Sequence, residues 1–161
     1  MYILSLWLII FTLQPLKLNI LSKTILNFDP SFTFKVFGIV CSEKDYRLCW
    51  LLNNNCGLTL SRAEDIESKY KTGSKYFTVF TTVNLDGENI ISLLKNKVEG
   101  GYFVPEKKEI DYFLTVSEHL TNTEFKSLQE DLKKIPQVLT AFEVDPESLK
   151  SKENFLSLEI I

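Results

Sequence analysis

IDYFLTVSEHLTNTEFKSLQEDLKKIPQVLTAFEV, residues 110–144, reads as strand, helix, strand. From Ile110 to Ser117 the chain alternates. Ile110, Tyr112, Leu114 and Val116 point one way, and Asp111, Phe113 and Thr115 the other. Thr121 and Glu124 then form a capping box, in which the hydroxyl and the carboxylate each satisfy a backbone donor at the helix start. Phe125, Leu128, Leu132 and Ile135 follow as a single apolar stripe at helical spacing. Pro136 cannot continue the helix. Val138 to Val144 returns as a strand, closed by Asp145-Pro146.

Toward the N-terminus a second such unit covers residues 34 to 61. Phe34 to Cys41 is apolar on both faces, as a central strand covered on each side would be. Ser42, with Asp45 three residues on, opens a helix carrying Tyr46, Cys49, Trp50 and Leu52, and Gly57 is its C-terminal cap. Leu58 to Ser61 is a short strand. Ala63 to Ser74 is polar and charged, and reads as a loop or frayed turn. Tyr76 to Val83 alternates as a strand, Asp86-Gly87 turns it, and Ile90 to Lys95 returns beside it. Lys23 to Phe28 is β-prone, and the mixed tail Glu147 to Ile161 reads as a short helix or a turn that docks late. Single-striped helices cover one face of a sheet. The expected fold is therefore α+β: a mostly antiparallel sheet with two main helices packed on it. Its pattern is that of a ferredoxin-like double split unit with an added hairpin.

The 161 residues suit one domain, with apolar residues at 45% and charged residues at 24%. A net charge of −3 gives no electrostatic case for nucleic acid. Cys41, Cys49 and Cys56 are odd in number and lack a CxxC pair. Cys49 and Cys56 stand about 10 Å apart along a helix, too far for a disulfide. Reduced thiols in a cytoplasmic protein are expected. Residues 2 to 13 are almost wholly apolar. The stretch 1–22 has three readings: translation from an upstream start, a short membrane-associated anchor, or an extra buried element. A signal peptide lacks its basic start, and a membrane span is cut short by Gln14, Pro15 and Lys17. The domain is placed at 23–157, with 158–161 as a tail. A membrane enters only if residues 1–22 are genuine.

Chemistry is sparse. Gly73, Gly87, Gly100 and Gly101 fit no phosphate-loop spacing. His119 is the only histidine, so neither a zinc site nor any other cofactor is expected. Glu106, Glu109 and Asp111 are interleaved by Lys107 and Lys108, as in a solvated turn. Tyr46, Trp50, Phe77, Phe113 and Phe142 are read as core. Arg47 is expected to hold Asp111 or Glu106 in its guanidinium fork, tying the first helix to the turn before Tyr112. Arg47, Glu106, Asp111 and Tyr112 are thus the candidate structural or interaction motif.

Three segments in order are moderately specific: Glu43-Lys-Asp-Tyr-Arg-Leu-Cys-Trp-Leu-Leu-Asn53, Val104-Pro-Glu-Lys-Lys-Glu-Ile-Asp-Tyr-Phe-Leu114, and Ile135-Pro-Gln-Val-Leu-Thr-Ala-Phe-Glu-Val144 with Leu149-Lys-Ser-Lys-Glu-Asn-Phe155 beyond it. Together they resemble the bacterial IPExxVDY family over residues 23 to 157. The motif is not matched literally: Val104 and Ile110 replace Ile and Val, and three residues separate Glu106 from Ile110. The resemblance implies a small bacterial domain and supplies no activity or ligand. Two functions are expected from different classes. One is a non-enzymatic module binding a protein partner or itself. The other is a small-ligand-binding regulatory domain.

Overall fold

The computed structural model describes residues 34–70, 73–83, 89–117 and 120–160. The apolar stretch 1–22, the strand at 23–28, the Asp86-Gly87 turn and His119 lie outside the described residues.

Among the described residues, ten strands and two α-helices follow in order: β1 Phe34–Cys41, α1 Asp45–Cys56, β2 Ser61–Arg62, β3 Ile66–Tyr70, β4 Gly73–Phe77, β5 Val79–Val83, β6 Asn89–Lys95, β7 Lys97–Val98, β8 Gly101–Tyr102, β9 Tyr112–Ser117, α2 Asn122–Lys134 and β10 Val138–Val144. The 3-10 segments Pro146–Ser148 and Lys152–Ile160 close the chain. The main sheet has the order β10-β1-β9-β6-β5-β2, every pair antiparallel. Its first four strands, with α1 between β1 and β6 and α2 between β9 and β10, have the split β-α-β arrangement of the ferredoxin-like pattern. β5 and β2 extend it at the β6 edge. The fold is α+β.

Both helices lie on one face. Leu48, Leu51 and Leu52 of α1 and Phe125, Leu128 and Leu132 of α2 share a buried cluster with Phe37, Ile39, Leu93, Leu114 and Val116 of the sheet. Phe37 stacks on Phe125 at 4.2 Å between centroids. Each such side chain contributes about 1.5–3 kcal/mol by leaving water. The other face is covered too. The β3–β4 and β7–β8 pairs and the 3-10 segments bring Ile66, Phe77, Phe103, Val104, Leu149 and Phe155 onto Val36, Leu94 and Phe113. Leu158 is buried there, so the packed unit passes residue 157. Gly38 makes room on this face. A Cβ at Gly38 would stand 2.6 Å from Ile110 Cδ1.

The helix starts differ in outcome. At α2 the capping box is complete: Glu124 N–H donates to Thr121 Oγ1, and Thr121 N–H to Glu124 Oε2 at 2.8 Å. At α1 the expected Ser42 cap is absent. The chain spends Ser42 to Lys44 turning out of β1, and Lys44 becomes the N-cap without a side-chain bond. Asp45 then sits in the first turn, where a carboxylate suits the helix dipole. Gly57, at φ 65°, caps the other end in the left-handed region that glycine tolerates.

Three further readings are corrected. Residues 66–70 and 73–74, read as loop, are strand, because β3 pairs antiparallel with β4 there. The strand at 76–83 is broken at Thr78, where the chain leaves that hairpin for the main sheet. Ile110 does not share the Tyr112 face. It precedes β9 and packs in the second cluster, across the sheet from Tyr112. Among the described residues no helix is long and apolar enough to cross a membrane.

Candidate functional site

Where β1 runs into α1, the start of β9 and the end of β6 lie alongside. Cys41, Glu43, Lys44, Lys95, Lys97, Asp111 and Tyr112 line a cleft of about 250 Å³ at this end of the sheet. Asp111 anchors it. One carboxylate oxygen accepts Cys41 N–H at 2.9 Å, and the other meets Lys97 Nζ at 2.6 Å. Tyr112, 3% exposed, donates its hydroxyl to Glu43 O at 2.6 Å. Burial pushes the Tyr112 phenol well up, and the nearby Asp45 carboxylate adds to it. Burial likewise raises the Cys41 thiol. Both groups therefore keep their protons at neutral pH, which makes them positioning groups and poor nucleophiles.

The cleft brings Asp111 and Tyr112 together but gathers neither Arg47 nor Glu106 with them. The expected fork between Arg47 and Asp111 or Glu106 is not formed. Arg47 meets Glu43, four residues back in the turn that leads into its helix, with Nε 3.4 Å from Oε2. Its own turn offers a carboxylate before the sheet does. Lys97 occupies Asp111 instead. Glu106 lies elsewhere, accepting Ser151 N–H at 2.8 Å and Ser151 Oγ–H at 2.7 Å. Lys95 and Lys97 were not singled out from the sequence, and nothing local marks them. They reach the cleft only because β6 pairs with β9. In a double-mutant cycle, Lys97→Ala with Asp111→Ala should show coupling of about 0.5–1 kcal/mol. Arg47→Ala with Asp111→Ala should be additive within about 0.5 kcal/mol. Urea midpoints of the five variants decide it, and the opposite ranking would remove the Lys97 tie.

Glu106 offers a pH test. Burial raises its carboxyl, but the Ser151 hydroxyl and N–H outweigh burial and hold it below the ordinary value. A depressed folded value stabilises the protein above the unfolded carboxylate value of about 4.3. That contribution disappears as pH falls through the lower folded value. The stability gap between the parent and Glu106→Gln should therefore be wider at neutral pH than in acid. An unchanged gap across the acid limb of urea titrations would rule the effect out.

A second feature borders the cleft. Tyr46 and Trp50, expected in the core, are 62% and 57% exposed. The reason is angular. Leu48 and Leu52 face the sheet, which turns positions 46 and 50 to the opposite side of the helix. With Arg47 the two rings line a shallow hollow of about 370 Å³. Phe77 and Phe113 are buried as expected, and Phe142 is half-buried against the second cluster. Among the described residues no group of three His, Cys, Asp or Glu is placed to hold a metal.

Comparison with known proteins matched no family model, no curated protein and no solved structure.

Proposed function

We propose that this is a cytoplasmic, non-enzymatic protein-interaction domain whose contact surface is the outer face of α1. One observation carries the reading: Tyr46, Arg47 and Trp50 stand together in solvent on a helix whose other face is fully used by the core. Trp, Tyr and Arg are the side chains most enriched at binding hot spots. The buried faces of α1 leave these rings no internal contact to make. Kinship with the IPExxVDY family belongs to the same proposal and rests on the segments at 43–53, 104–114 and 135–144. The first of those segments contains the aromatic face.

A second reading, a small-ligand-binding regulatory domain, is favoured by the cleft beside Asp111, where Lys44, Lys95 and Lys97 converge. The two are separated by affinity purification of the tagged full chain, with mass spectrometry of both proteins and metabolites. The interaction reading expects a protein that is lost with Trp50→Ala and kept with Lys133→Ala, a surface change on α2. A metabolite lost with Lys97→Ala, and no Trp50-dependent protein, would replace it with the ligand reading.

A further inference from the structure

We propose that the occupant of the α1 face is a carboxylate-bearing peptide segment, with one apolar side chain between Tyr46 and Trp50 and an Asp or Glu held by Arg47 and Lys44. This rests on reading that face as the interface, and it names the partner's chemistry.

The argument is charge complementarity. Three carboxylates near the face are each matched by a cation: Glu43 by Arg47 at 3.4 Å, Asp45 by Lys95 at 3.7 Å and Asp111 by Lys97 at 2.6 Å. Lys44 is exposed, and its ammonium has no partner among the described residues. The face is thus locally positive on a chain whose net charge is −3. Arg47 reinforces this. Its contact with Glu43 is through Nε at 3.4 Å, and neither Nη makes a hydrogen bond among the described residues. Arg47 is exposed, so its two Nη groups can take an incoming carboxylate in a two-pronged contact while Nε stays on the half-buried Glu43. The first turn of α1 adds the positive end of its dipole beside Lys44. The rings supply the apolar half, since the hollow they line is walled by two aromatic faces four residues apart. A basic segment would meet Lys44 and Arg47 unfavourably, and a purely apolar one would leave both cations unused.

The test is selection of a phage-displayed random-peptide library on the full chain, followed by fluorescence-anisotropy titration of the selected peptides. The expected peptides carry Asp or Glu within two residues of a large apolar side chain. Their binding should weaken about thirtyfold with Trp50→Ala, a hot-spot loss. It should weaken about tenfold or more with Arg47→Glu, by a smaller factor with Arg47→Lys, which keeps the charge but not the two-pronged contact, and fall with added salt. These positions are exposed, so melting temperatures of the variants should match the parent and separate lost binding from lost fold. Peptides that need Trp50 but show no acidic preference, or ignore Arg47→Glu, overturn the carboxylate and leave the interface standing. Peptides indifferent to Trp50→Ala overturn both.

Discussion

Asn96→Ala should destabilise the domain by roughly 3–5 kcal/mol, a large share of the stability of a small protein. Asn96 is 0% exposed and follows β6 directly. Its side-chain amide donates to Lys107 O at 2.9 Å and to Ile110 O at 2.8 Å, while its carbonyl oxygen accepts Val104 N–H at 2.8 Å. The backbone adds two more bonds: Asn96 N–H to Asp111 O and Phe103 N–H to Asn96 O, both 2.8 Å. One side chain therefore folds the whole turn from Val104 to Ile110 and delivers Asp111 and Tyr112 to the cleft. Alanine strands Val104 N–H and Ile110 C=O in the interior, each at about 1–3 kcal/mol. Lys107 C=O suffers less, because Ile110 N–H also reaches it at 3.2 Å. Asn96→Asp should be worse still. It keeps the acceptor for Val104 but turns a carboxylate toward two carbonyls. Asn154, whose side-chain amide donates only to Phe103 O among the described residues, is the comparison, and Asn154→Ala should cost clearly less. Urea denaturation at constant slope reads all three. A loss under about 1 kcal/mol for Asn96→Ala would show that the turn holds itself.

Asn96 also shows where sequence reading ends. A polar residue between a strand and a charged turn looks like ordinary loop, because its partners lie 8 to 14 residues away and are backbone atoms. Features whose cause is local were legible. The α2 stripe and its capping box depend on residues within four positions of each other, and both stand in the structure. β1 and β9 were legible because a short run with apolar residues on both faces marks a central strand, and both strands are buried along most of their length. The β3–β4 hairpin was not. Ile-Glu-Ser-Lys-Tyr carries little apolar signal, and the hairpin's core contact is made at one end by Ile66 and Phe77. α1 was half legible: its apolar residues cover more of the helix than one sheet can bury, and periodicity alone does not say which half stays outside. The candidate site divides the same way. Asp111 and Tyr112 were found in sequence and do meet at the cleft. The partner of Arg47 was misassigned, because a carboxylate one helical turn away competes better than one across the sheet.

Phe155→Ala should cost about 3–5 kcal/mol, the usual range for truncating a buried phenylalanine. The residue lies in the closing 3-10 segment, a part of the chain that reads from sequence as a tail, yet it is 0% exposed. Its ring meets Phe103 at 5.3 Å and Phe113 at 5.4 Å between centroids, both edge-on, and Phe34 at 6.1 Å. Edge-to-face packing of this kind adds about 0.5–1.5 kcal/mol per pair beyond buried area. Phe103 belongs to the turn that Asn96 shapes, Phe113 to β9 and Phe34 to β1, so one side chain joins the C-terminal segment to three parts of the fold. Removing it leaves a cavity whose walls are themselves large and constrained, which limits collapse. Phe155→Leu keeps part of the volume but loses both edge-on ring contacts, so it should cost about 1–3 kcal/mol, less than Phe155→Ala. Leu156, half-buried in the same segment, gives the contrast, and Leu156→Ala should fall well below Phe155→Ala. Parallel urea and thermal melts measure the series. If Phe155→Ala and Leu156→Ala cost the same small amount, the C-terminal segment rests on the sheet without closing its core.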